Sequence, residues 1–112
     1  MSERLHTPYL EHIMECCVHI AQYASEGEAV FKAHGKTYDA LLRRMQIMAE
    51  SCKRLPPEIQ AKIPVDWNAI AGLRNVLVHD YLGTLDDAIL WRVIMLHVPE
   101  LHGALRQYRE KL

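Results

Sequence analysis

Apolar residues recur at steps of three and four along most of the chain, the spacing that lines one face of a helix turning about 100° per residue. Tyr9, Ile13, Cys16 or Cys17, Ile20 and Ala24 form the first such stripe, with Thr7 as its expected N-cap and Pro8 at the first helical position. The stretch "SEGEAVFKAHGK" breaks the period. Tyr38, Leu41, Leu42, Met45, Met48, Ala49, Cys52 and Leu55 resume it behind an expected Thr37 cap, and "PPEIQAKIP" ends it, because paired prolines cannot continue a helix. A third, shorter helix is predicted from near Asp66. Gly83 reads as a C-terminal stop, and "TLDD" as a start in which Thr84 caps and Asp87 sits three residues on. The fourth helix runs to about Val98, where Pro99 either kinks it or opens a last helix through Leu101, Leu105 and Tyr108. No strand-like alternation, repeat or low-complexity segment interrupts this pattern. An all-α, antiparallel bundle of four or five helices is predicted, with residues 1–112 as a single domain.

Composition sets limits on what the bundle can do. Half of the 112 residues are hydrophobic, enough for one modest core. The richest apolar run, "AILWRVIMLHV", is interrupted by Arg92 and His97, so no membrane span is expected. The charged start "MSERLHTPYLEH" lacks the apolar stretch of a signal peptide, and a cytosolic protein is expected. Three cysteines, two of them adjacent at Cys16 and Cys17, make a poor disulfide framework and read as core thiols. A net charge of −1 gives the chain no large positive field, so any nucleic-acid binding must be local. Arg43, Arg44, Lys53 and Arg54 are the local candidates, although taken alone they read as a solvated face.

Several apparent motifs fall away on inspection. "GKT" at Gly35 to Thr37 lacks the glycine five positions earlier that a phosphate loop needs, since Val30 stands there. His12, Cys16 and His19 share a helical face but offer only three ligands among core formers, so no metal site is assigned. His97 and His102 read as partly exposed histidines, and Trp67 and Trp91 as core anchors.

The stretch "RNVLVHDY", Arg74 to Tyr81, does not fall away. On a helix, Asn68, Gly72, Asn75 and His79 share a narrow stripe, while Trp67, Ile70, Leu73, Val76 and Leu77 point elsewhere. A glycine within a helix costs about 1 kcal/mol relative to alanine, which points to a close approach there by a neighbouring helix, a second subunit or a substrate. Arg74 and His79 lie roughly 140° apart about the axis and do not stack on one face. Either the arginine reaches round, or the helix ends between them, or an equivalent pair from another subunit completes the set. A surface arginine and a dipole-stabilised histidine at a helix C-terminus would show the same spacing.

The series Trp67, Gly72, Arg74, Asn75, His79, Asp80, Tyr81 resembles the motif helix of the HEPN superfamily, specifically its HepT-like toxins, which pair with a minimal nucleotidyltransferase antitoxin. "RRMQIMAESCKRLP", with Glu50 embedded, resembles the family's second helix and "ILWRVIMLHVPEL" its closing helix, so the likeness covers roughly residues 5–105. Ser51 departs from the family's usual small alanine, a change expected to matter little, and "SEGEAVFKAHGK" is less typical. The resemblance implies a metal-independent ribonuclease of a type VII-like toxin–antitoxin system, needing no cofactor, whose homodimer brings two motif helices into one cleft. Arg74 and His79 are then the implied catalytic pair, with Asn75 and Asp80 supporting them. Tyr81 is the implied acceptor of AMP from the cognate nucleotidyltransferase. The competing expectation is a non-catalytic helical partner, or nucleotide-binding subunit, of a nucleotidyltransferase, and the near-neutral charge favours it.

Overall fold

The computed structural model describes residues 7–79 and 85–112, all as helices and their connections, with no strand among them. Helix α1 spans Thr7–Ala24, α2 Glu28–Lys32, α3 Lys36–Lys53, α4 Pro57–Gln60, α5 Trp67–His79, α6 Asp87–Arg92 and α7 Val98–Glu110. A single wider π turn, Val93–His97, joins α6 to α7. The bundle expected from the 3.6-residue period is therefore present, and its long members are α1, α3, α5 and α7. Among the described residues, no helix is long and apolar enough to cross a membrane.

Helix α1 is the centre of the core. Leu10, Ile13, Cys16 and Ile20 on it are fully buried, and it packs against α3, α7 and the π turn. From α3, Leu41, Met45, Met48 and Cys52 close the layer, and from α7 Val98, Leu101, Leu105 and Tyr108 do so. The connection read as a simple break holds a short helix, α2, whose Phe31 is completely buried against Tyr38 and Trp91, with ring centroids 5.1 and 5.4 Å away. One apolar turn is too short to show a period, so the pattern concealed it.

Helix starts differ from expectation in two places. Gly35, not Thr37, occupies the N-cap of α3, and the Thr37 hydroxyl instead donates to the Glu26 carboxylate. Asp86 caps α6, accepting from the Ala88 and Ile89 N–H groups at 2.8 and 3.2 Å. The proposed Thr84 cap and the Gly83 stop lie outside the described residues, and Thr7 is itself helical at the edge of them.

Pro99 lies within one uninterrupted helical run, Asp87 to Glu110, and explains the distortion before it. It is the second residue of α7, and His97 and Val98 before it keep helical backbone angles. Upstream, its ring cannot sit under the carbonyl four residues back, and widening that turn relieves the conflict.

Candidate active site

Helix α5 is fixed at its beginning. The Asp66 carboxylate accepts from the Ala69 N–H at 3.0 Å, and the Trp67 indole N–H donates to the Gln60 carbonyl at 2.9 Å, tying α5 to the end of α4. Trp67 thus anchors by a hydrogen bond as well as by packing. Along its length α5 rests on α3.

The helix is apolar in composition, yet it contains no fully buried residue. Its two sides explain why. Ile70, Leu73, Arg74, Leu77 and Val78 are half-buried toward the bundle, whereas Asn68, Ala69, Gly72, Asn75, Val76 and His79 form a continuous exposed arc. Val76 shows 49% of its surface on that arc. Among the described residues, a Cβ added at Gly72 would meet nothing within 4 Å, so no neighbouring helix among them explains the glycine.

Arg74 and His79 accordingly take different directions, as the helical spacing predicts. The arginine faces α3: its Nε lies 3.9 Å from the Glu50 Oε1, and its Nη1 donates to the Asn75 Oδ1 at 3.2 Å. His79 stands exposed at the last turn of α5. Of the expected supporting pair, Asn75 contacts Arg74 directly, and Asp80 lies outside the described residues, as does Tyr81. Glu50, quoted in the sequence only as part of a likeness, is the residue that charge and position add to the set. Its pairing could not be read from spacing, because it joins two helices.

Other polar groups sit elsewhere. The Ser51 hydroxyl, one residue after Glu50, is buried and lies 2.8 Å from the His12 Nδ1, which gives the departure from alanine a structural role. Burial pushes the Cys17 thiol up to about 12 and raises Cys16 and Cys52 as well. All three are structural thiols. Among the described residues, no group of three or more His, Cys, Asp or Glu side chains is arranged to hold a metal ion. An apolar groove of about 370 Å³ runs between α5 and α7, lined by Ile70, Leu73, Val98 and Leu101 among others. Neither Arg74 nor His79 lines it.

Comparison with known proteins bears on this surface. The family described as "Ribonuclease HepT-like" matches residues 10–108. A protein of Caldanaerobacter subterraneus named "Putative RNase" is 34% identical over 106 residues, covering 93% of this chain and 94% of its own. "Probable ribonuclease HepT" of Thermococcus cleftensis is 30% identical over 110 residues, covering 96% of this chain and 99% of its own. A longer protein of Methanocaldococcus jannaschii, "Gamma-glutamylcyclotransferase and putative RNase", is 31% identical over 106 residues, 93% of this chain but 47% of that one. No solved structure matches significantly. With the family match running from the first helix of the bundle to the last, the chain belongs to the HepT-like ribonucleases.

Proposed function

We propose that this chain is a metal-independent endoribonuclease toxin that works as a homodimer and is silenced when a cognate nucleotidyltransferase transfers AMP to Tyr81. The observation that carries this reading is the exposed arc of α5, where a motif of the right residue types occupies a helix that its own chain leaves half uncovered. Two such arcs facing each other across a two-fold axis bring the His79 of both copies to one cleft, Gly72 lets the helices approach, and each Arg74 reaches round to that cleft from the side of α5 that faces α3.

RNA carries its own nucleophile. In the reaction proposed, a histidine takes the proton from the 2′-hydroxyl, the 2′-oxygen attacks phosphorus, and the 5′-oxygen leaves with a proton from a general acid. The products are a 2′,3′-cyclic phosphate and a 5′-hydroxyl. His79 serves as base or acid, with His79 of the partner subunit in the other role, because imidazole exchanges protons near neutral pH. Arg74 offers its guanidinium to the phosphorane oxygens as negative charge builds there. In silencing, the Tyr81 hydroxyl attacks the α-phosphate of ATP and pyrophosphate leaves. The resulting phosphodiester stands two residues from His79 and competes with substrate phosphate for Arg74.

The test is RNA cleavage in the presence of a chelator, followed by analysis of the new ends. A 2′,3′-cyclic phosphate is expected, and Arg74→Ala or His79→Ala should lower the rate by about 10²-fold or more. Full activity in either variant overturns the mechanism. A protein that binds its nucleotidyltransferase but never cuts RNA is the non-catalytic subunit instead.

A further inference from the structure

We propose that Glu50 on α3 is a positioning residue that holds the guanidinium of Arg74, a role that rests on the ribonuclease reading above. The Arg74 Nε is shut off from solvent and makes no hydrogen bond among the described residues. A buried N–H in that state is costly, and the Glu50 Oε1 stands 3.9 Å away from it. That oxygen is not loose. It accepts from the Gln46 Nε2 at 3.3 Å, one turn earlier on α3.

The contacts form a chain from Gln46 to Glu50 to Arg74 to Asn75, crossing from α3 to α5. The last two links constrain different edges of the guanidinium. Glu50 governs the Nε side and Asn75 takes one proton of Nη1, which leaves the Nη2 side to meet an incoming phosphate. A separation of 3.9 Å is a charge contact rather than a hydrogen bond, and it shortens to one when substrate phosphate fixes the opposite edge. The carboxylate takes no proton from the substrate in this scheme. Of these two residues it is Arg74 that touches the reacting atoms, and Glu50 acts through it.

Two measurements test this together. In the first, Glu50→Gln should lower kcat about 10-fold, on the scale of one charge-assisted contact, while leaving the shape of the pH–rate profile unchanged. The same substitution added to Arg74→Ala should cost nothing further, because the two residues act as one unit. Gln46→Ala keeps the carboxylate but frees it, so a smaller loss in the same direction is expected. In the second, the Arg74 Nε–H signal is followed by nuclear magnetic resonance in substrate-free protein. Slow solvent exchange in the wild type should give way to fast exchange in Glu50→Gln, with helicity checked by circular dichroism.

Undiminished cleavage by Glu50→Gln with an unaltered Nε–H signal overturns the proposal, as does a further loss on top of Arg74→Ala. Loss of one limb of the pH profile also overturns it, since Glu50 would then be moving a proton. If the wild type cuts no RNA, the Nε–H signal still decides. Its loss in Glu50→Gln upholds the grip on Arg74 and isolates the failure in the ribonuclease reading, and its persistence removes both.

Discussion

The imidazole of His34 lies stacked on the ring of Tyr38, centroids 3.9 Å apart and 16° from parallel, while its Nε2 reaches the Asp87 carboxylate at 2.7 Å. One side chain thereby joins the α2–α3 connection to the start of α6. It does so from a left-handed backbone, φ 56°, that a residue with a Cβ adopts at a cost of about 1–2 kcal/mol. His34→Ala should lose the contacts and keep the strain. His34→Gly loses the same contacts but relieves the backbone, so it should be the more stable of the two by about 1 kcal/mol in urea titration. A glycine variant no more stable than the alanine one would show that the strain is not there.

Burial of Phe31 makes a second test of the same region. Phe31→Ala should destabilise the fold by about 3–5 kcal/mol, the range for truncating a fully buried aromatic residue. A change under about 1 kcal/mol would mean that α2 is dispensable.

The short helix α2 also shows where sequence patterning runs out. Long stripes such as Leu41, Met45, Met48 and Cys52 announce their helix and its buried face together, and these were legible in full. Phe31 and His34 were not, because a five-residue helix and a single left-handed residue have no period to read. The α5 motif was legible as residue types and angular placement. What spacing could not supply was Glu50, whose contact with Arg74 depends on how α3 lies against α5.

Assembly is tested at Gly72. Since a Cβ there meets nothing within 4 Å among the described residues, Gly72→Leu should leave helicity intact and even favour α5 by up to about 1 kcal/mol. If that arc is the dimer contact, the variant should run as a monomer on sizing and lose cleavage. An active dimer carrying leucine would place the contact elsewhere.

Silencing is tested at Tyr81. Incubated with the nucleotidyltransferase and ATP, the wild type should gain mass in AMP units and stop cutting RNA, whereas Tyr81→Phe should gain none and continue. Modification at a different residue, with Tyr81 untouched, would end that part of the proposal.

His102 should leave a pH signature. Burial, with help from the Arg106 and Arg109 charges, holds its pKa below the ordinary value of 6.5, so the folded protein resists the proton that the unfolded chain accepts. Its stabilising contribution is complete above about 6.5 and is lost as pH falls through the lower folded value. Melting temperature measured from about pH 7.5 down to 5 should therefore fall less steeply in His102→Gln than in the wild type. Parallel curves would refute the shift.

The uneven burial of α5 has a dynamic consequence. Local opening of a helix is opposed mainly by the apolar surface it would expose, and α1 would expose a row of completely buried side chains. The segment from Trp67 to His79 would expose none, so Arg74 and His79 ride on the part of the bundle whose amides should trade hydrogen for deuterium earliest. Anything that covers the outer arc, whether a second copy or a partner, slows that exchange and sets the motif in place, so that the order of the motif becomes a function of protein concentration.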